Sequence, residues 1–295
     1  MGKVIGFCNQ KGGTAKTTSV VNFASYLALA GKRVLLIDGD PQGNASSGLG
    51  IDSDNIEAGL YDVLIGRLSA NECILDTCVG GLFVLPSNTT LAAAEIELVT
   101  EKDREYFLKD IIDDIKNQFD YVVIDSPPSL GILTLNILVA SDSVIVPIQC
   151  EYYALEGVSR LVHTLDMVRE RLNSKLEIEG ILMTMADFRT RLTIQVIEEV
   201  RMFFKEKVYD TVIPRNVTLS EAPSFGKPAY LYNKHCTGAK AYFKHACEFL
   251  KEDIKGVYDG EESARSRSGY ADTPKEYTTG QKDTAGAADT RIYVH

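Results

Sequence analysis

Short segments that are apolar on both faces recur along this chain, separated by longer segments whose apolar residues return at helical spacing. Residues 3–9, 33–38 (RVLLID), 82–85 (LFVL), 121–125 (YVVID), 143–147 (SVIVP), 178–185 and 208–213 have the first character. Residues 17–30, 89–117 with a break, 131–140, 155–171, 193–207 and 238–253 have the second. A strand apolar on both faces has to be covered on both. With helices between such strands, the pattern predicts an α/β fold, a mostly parallel twisted sheet with helices on both faces. Hydrophobic residues make up 45% of the 295 residues, enough to fill that core and to exclude disorder of the whole.

Other classes drop out on composition. No apolar run approaches the roughly 20 residues that cross a bilayer. The opening MGKVIGFCNQ reads as a strand rather than a secretory leader. The 6 cysteines show no C-x-x-C pairing and the 4 histidines no metal-ligand spacing, so reduced thiols in a cytoplasmic protein are expected. From residue 256 onward Gly, Ser, Thr, Asp and Lys dominate and periodicity is lost. Residues 1–255 are therefore read as one domain and 256–295 as a disordered tail.

The turn after the first strand carries the chemistry. It reads Gln10-Lys11-Gly12-Gly13-Thr14-Ala15-Lys16-Thr17-Thr18 and opens directly into a helix. A strand, a glycine-rich turn and Lys-Thr at a helix start form the setting of a phosphate-binding P-loop. Gly12 and Gly13 let the backbone curl its N–H groups toward phosphate oxygens, and the helix N-terminus adds partial positive charge. Lys16 suits the β/γ-phosphates, and the Thr17 hydroxyl suits Mg²⁺. Gln10 and Ala15 stand where the usual pattern has glycines; Ala15 is free of penalty only if its φ stays negative.

Two acidic segments follow apolar strands. Asp125, in YVVIDSPP, ends a strand that lies beside the P-loop strand in a parallel sheet, where it would hold Mg²⁺ directly or through water. Asp40, in Asp38-Gly39-Asp40-Pro41-Gln42-Gly43-Asn44, is placed either to orient a water or to form the turn, and spacing does not separate the two.

The string KGGTAKTT resembles the deviant Walker A motif K-G-G-x-x-K-[ST]-[ST] of the ParA/MinD superfamily of P-loop NTPases. LLIDGDPQGNASSGLG, YVVIDSPPSLGILTLNILVASD, QCEYYALEG, IPRN and LSEAPSFGKP narrow the resemblance to the ParA/Soj partition ATPases, over about residues 1–250. That resemblance implies an ATP-sandwich homodimer that hydrolyses ATP slowly. Gly12 to Thr18 would hold the nucleotide, with Lys16 on the phosphates of its own subunit and Lys11 reaching the partner's. Thr17, Asp40 and Asp125 would serve the Mg²⁺ and the attacking water, while Pro214 and Asn216 fall where the family recognises adenine. Ala15 departs from the family's glycine, beside the dimer interface.

The family resemblance also implies nonspecific DNA binding by the ATP dimer, and charge distribution says where to look. Residues 1–185 carry 14 Lys and Arg against 25 Asp and Glu, whereas residues 186–251 carry 11 against 7. Only the second stretch is basic, and phosphate neutralisation there would make DNA binding salt-sensitive. Arg189 is the foremost candidate, followed by Arg191, Arg215 and Lys227; Thr218 stands where the family often has a base. A ParB-like centromere-binding protein is the implied partner, with a nucleoid-associated cytoplasmic location and no membrane. Two alternatives are a MinD-like membrane-cycling regulator, which needs a basic amphipathic C-terminal helix that residues 256–295 do not supply, and a non-hydrolysing ATP-locked DNA scaffold.

Overall fold

The computed structural model describes residues 2–258 apart from Asp54 and Tyr153. Most of the predicted tail, residues 259–295 with Tyr270, Tyr277 and Tyr293, lies outside the described residues. The first half of the chain runs β1 (Lys3–Phe7), α1 (Lys16–Leu29), β2 (Val34–Asp38), α2 (Asn44–Ser47), α3 (Leu60–Leu64), α4 (Ala70–Cys73), β3 (Leu75–Asp76), β4 (Leu82–Leu85), α5 (Leu91–Glu97), α6 (Phe107–Ile115) and β5 (Tyr121–Asp125). The second half runs α7 (Ile132–Ala140), β6 (Ser143–Gln149), α8 (Ala154–Arg171), β7 (Glu177–Ala186), α9 (Arg191–Phe204), β8 (Val208–Pro214), α10 (Val217–Glu221), α11 (Ala229–Asn233) and α12 (Thr237–Leu250).

The strands form one sheet in the order β3-β4-β2-β5-β1-β6-β7-β8. Every pairing is parallel except the short edge pair β3–β4. The predicted α/β architecture is therefore the observed one. β1, β2, β4 and β5 are buried almost without interruption, which is why their sequences carry no polar alternation. Gly31 ends the first helical stretch as expected, at φ 79°.

Two boundaries differ from expectation for physical reasons. β6 runs to Gln149, two residues past Pro147, where the sequence suggests a stop. β1 ends at Phe7, opposite Ile145, so no ladder bond on that side needs the N–H that proline lacks. The Asn9 amide instead donates to the Pro147 carbonyl at 2.6 Å. Region 89–117 breaks between α5 and α6, at a turn in which Asp103 takes φ 55°.

The alignment of β2, β5 and β1 positions the site. Asp125 lies level with both Phe7 and Asp38. The loop after β1 and the carboxylates ending β2 and β5 thus share one edge of the sheet. This is the C-terminal edge where parallel α/β sheets bind ligands.

Against the sheet, α12 packs on α1. Tyr242 of α12 shares a 2.9 Å hydrogen bond with Ser19, and Tyr26 donates to the Ala239 carbonyl at 2.8 Å. His245 lies fully buried between Phe23 and Tyr209, at ring separations of 5.1 and 4.5 Å. Neither ring nitrogen has a hydrogen-bond partner among the described residues. Burial pushes the imidazole pKa down to about 3. The unfolded chain, with a histidine near 6.5, then binds the extra proton first, so this site withdraws stability as pH falls from 6.5 toward 3. Replacing His245 with Leu should abolish that loss. Between pH 7 and pH 5, chemical denaturation should show the parent losing about 2 kcal/mol more than the variant. Equal losses would contradict a neutral buried imidazole.

Candidate functional site

The loop between β1 and α1 is held from both sides. The Lys11 N–H donates to Asn9 Oδ1 at 3.0 Å, while the Thr184 hydroxyl of β7 donates to the Thr14 carbonyl at 3.0 Å. Gly13 and Ala15 both take left-handed backbone, at φ 73° and 63°. Alternation of ordinary and left-handed residues is the geometry that turns successive N–H groups into one anion-binding hollow. The condition for a penalty-free Ala15 is thus not met. Its left-handed conformation costs about 1–2 kcal/mol relative to one at negative φ. The Ala15 carbonyl accepts the Ser19 N–H at 2.9 Å, so the strained residue also starts α1.

Lys16 is 93% buried at the helix start, its side of the loop facing Asp125. Burial depresses its pKa, and the negative charge of Asp125 opposes that fall. Asp125 itself is fully buried, and neither of its carboxylate oxygens makes a geometrically complete hydrogen bond among the described residues, although the Thr17 hydroxyl lies close enough to act on it. Burial raises its pKa well above the ordinary value and the neighbouring Asp38 adds to the rise; the Thr17 hydroxyl and Lys16 counter both. A buried carboxylate with two weakly satisfied acceptors, beside a buried lysine and a hydroxyl, is a donor set that fits a divalent cation. Among the described residues, no three His, Cys, Asp or Glu side chains are arranged to hold a metal by themselves.

Asp38 is the residue that sequence reasoning passed over. It is fully buried and accepts from the Ser46 N–H and hydroxyl at 2.8 and 2.7 Å. Burial pushes its pKa up to about 6 against those hydrogen bonds. The signal was available, since Asp38 ends an apolar strand as Asp125 does. Gly39 follows because the chain passes tight against β5: its N–H donates to the Asp125 carbonyl at 3.0 Å, and a Cβ would lie 2.5 Å from that oxygen. Asp40 comes next, largely buried, with its carboxylate accepting the Gln42 N–H at 3.0 Å and its carbonyl the Ser87 hydroxyl at 2.6 Å.

A recess of about 540 Å³ opens beside the loop, lined by Gly13, Ala15 and Thr18 on one side and Pro214, Arg215 and Asn216 on the other. It brings the predicted Pro214 and Asn216 to the P-loop. Asn216 donates to the Thr237 hydroxyl at 2.8 Å, while its Oδ1 is buried without a donor among the described residues. A larger recess of about 830 Å³ lies between α9, β8 and α12 and holds none of the phosphate-loop residues.

Comparison with known proteins agrees with this geometry. A family model described as AAA domain matches residues 2–178. The sporulation initiation inhibitor protein Soj of Bacillus subtilis is 55% identical over 248 residues, covering 84% of this chain and 98% of that protein. The chromosome-partitioning protein ParA of Myxococcus xanthus is 49% identical over 253 residues, covering 86% and 89%. The chain belongs to the Soj/ParA family of partitioning ATPases. Among solved structures, cobyrinic acid a,c-diamide synthase from Mycobacterium smegmatis, crystallised with an ATP analog and magnesium, is similar with a TM-score of 0.77 and 37% identity, covering 85% of this chain and 95% of that one.

The remaining positions that the Soj/ParA resemblance singles out are spread over the same edge. Lys11 is paired within its own chain, with Nζ 2.8 Å from the Glu151 carboxylate just past β6. Sequence reasoning missed that contact, although Glu151 lies in the QCEYYALEG segment. Arg189 is exposed and bound bidentately by Asp187, at 2.6 and 2.8 Å. Arg189 holds the Asp187 carboxyl down at about 2, and Arg215 stands close enough to contribute. Arg191 begins α9 immediately after them. Lys227 lies apart from this group, in the wall of a recess of about 390 Å³ shared with Thr17 and Thr18. No helix among the described residues is long and apolar enough to cross a membrane.

Strain at Ala15 gives a direct test. An Ala15→Gly chain should gain the left-handed relief of about 1–2 kcal/mol and lose about 0.4–1 kcal/mol to unfolded-state entropy. The expected net is a stabilisation of about 1 kcal/mol in urea unfolding. Destabilisation would mean that residue 15 does not hold positive φ in solution.

Proposed function

We propose that this chain is a DNA-partitioning ATPase whose ATP-bound form is a homodimer on DNA. The observation that carries the reading is the buried Lys16 set against the unpartnered Asp125 carboxylate beneath a left-handed phosphate loop. The partitioning role is preferred to the activity named for the diamide synthase because the higher identity, 55% against 37%, lies with a Soj protein.

In this reading Lys16 and the N–H groups of Gly12 to Ala15 bind the β- and γ-phosphates of ATP, and Thr18 the α-phosphate. Mg²⁺, when bound, would neutralise phosphate charge; Thr17 and Asp125 are the residues that would hold it. Asp40 orients the attacking water. Asn216 Oδ1 accepts from an exocyclic amine of the base, with Pro214 against its ring. Lys11 neutralises developing charge on the triphosphate of the facing subunit, as an arginine finger does in trans. To do so it leaves Glu151. Both side chains of that pair are at least 40% exposed, so its rupture costs at most about 1 kcal/mol.

DNA binding is assigned to Arg189, Arg191 and Arg215, with Lys227 as a separate contact. Arg189, itself exposed, exchanges the half-buried Asp187 carboxylate for a DNA phosphate. Pairing two such clusters in a dimer gathers positive charge on one face, which can attract DNA locally even though each chain carries a net charge of −10. A ParB-like centromere-binding protein stimulates hydrolysis, and the chain acts in the cytoplasm on the nucleoid. Residues 1–255 form the ATPase domain.

Phosphate release, measured with DNA and a ParB-like protein, tests the reading. The parent chain should turn over slowly and accelerate when both are present. Asp40→Ala should lose turnover by about 100-fold or more while retaining ATP-dependent, salt-sensitive DNA binding. Unchanged turnover in Asp40→Ala would favour the non-hydrolysing scaffold, and DNA binding without ATP would contradict the dimer cycle.

A further inference from the structure

On the side of the sheet formed by α3, α5 and α6, a groove of about 620 Å³ opens to the surface. None of its residues belongs to the nucleotide or DNA sites. Its floor is apolar, built from buried Leu64 and Leu98 and half-buried Phe107 and Ile111. Ile96 and Val99 stand nearby at 78% and 53% exposure. Apolar surface of this kind, rimmed by charge, is characteristic of a recognition site rather than of a closed core.

The rim carries four carboxylates, Glu97, Glu101, Asp110 and Asp114. Glu97 accepts the Tyr61 hydroxyl at 3.0 Å. The cations in this part of the chain are committed elsewhere. Arg67 pairs with Asp62, Lys102 with Asp103 and Arg104 with Glu105. Lys109 and Lys116 both pair with Asp113. Glu101, Asp110 and Asp114 have no ion-pair partner among the described residues. Asp110 and Asp114 are also four residues apart on α6, where like charges cost a few tenths of a kcal/mol. The helix's other such pair, Lys109 and Asp113, is of opposite charge. The groove face therefore keeps negative charge without an ion-pair partner among the described residues, around exposed apolar surface.

We propose that this groove docks a basic amphipathic helix of a partner protein, with apolar side chains on the Phe107–Ile111 floor and Lys or Arg over the four carboxylates. The complementarity selects this occupant. A DNA backbone or anionic lipid is repelled by the rim, and an acidic segment of another copy of this chain is repelled equally. A helix is the form that places apolar anchors and flanking cations on adjacent faces at three- and four-residue spacing. The inference stands apart from ATP binding, so it is tested without nucleotide.

The probe is a labelled Leu–Lys peptide of about 14 residues, roughly four helical turns, with its leucines on one face. Its affinity is read by fluorescence anisotropy against the full chain. The variant Glu101→Gln, Asp110→Asn, Asp114→Asn removes repulsion and threatens no buried contact, and its thermal melt verifies folding. It should bind the probe at least about tenfold more weakly. A control, Glu170→Gln, Glu199→Gln, Glu206→Gln, removes as much exposed charge elsewhere and should leave affinity within about twofold of the parent. A scrambled peptide of equal charge without an apolar face should bind the parent about tenfold more weakly than the probe. Equal losses in the two variants, or equal binding of the two peptides, would overturn the proposal by reducing it to attraction toward an acidic protein.

Discussion

At the C-terminal edge of the sheet, a lysine and two aspartates are buried within reach of one another, and the fold is arranged around that charge problem. Lys16, Asp38 and Asp125 are each less than a tenth exposed. Taking such groups from water costs several kcal/mol per ion unless partners compensate. Asp38 is compensated by Ser46, which gives it two hydrogen bonds. Asp125 is not, and Lys16 faces it with its own pKa depressed by burial. An arrangement of this kind is retained where a ligand supplies the missing charges. A triphosphate would satisfy Lys16 and a divalent cation would satisfy Asp125, each completing what the polypeptide leaves open.

The backbone around these charges is built to the same end and at local cost. Ala15 and Gly13 adopt left-handed geometry in the loop, and Gly39 lets β2's extension touch the Asp125 carbonyl. Thr184 and Asn9 clamp the loop from β7 and from beside β6. Strain of this order persists only where surrounding contacts over-determine it. At Ala15 a methyl group occupies a position usually given to glycine, and the neighbouring contacts hold the chain there regardless. Lys11, by contrast, is held by a single exposed ion pair, which is weak enough to exchange for another anion.

Much of this was legible in residue order alone. Strands apolar on both faces dictated a covered parallel sheet, and Lys-Thr after a glycine turn marked the phosphate loop. Asp125 was recognisable from its place at a strand end, and the same rule applied to Asp38 would have found it as well. What was not legible depended on long-range contacts. The helices α2, α3, α4, α10 and α11 are four or five residues long, too short for periodicity to register. Pro147 reads as a strand end unless one knows that β1 has already stopped beside it. The Lys11–Glu151 pair joins residues 140 positions apart, and the Asp187 grip on Arg189 depends on a rotamer that spacing does not encode. Ala15's positive φ follows from clamping by distant strands, whereas local preference alone argues against it.

Calorimetric titration of ATP into the parent chain and into Asp125→Asn, each with and without Mg²⁺, addresses the buried charge cluster directly. The parent should bind ATP far more tightly with Mg²⁺ than without, and Asp125→Asn should lose most of that difference while Lys16→Ala binds in neither condition. ATP binding that ignores both Mg²⁺ and the Asp125 substitution would contradict a site organised around those two charges.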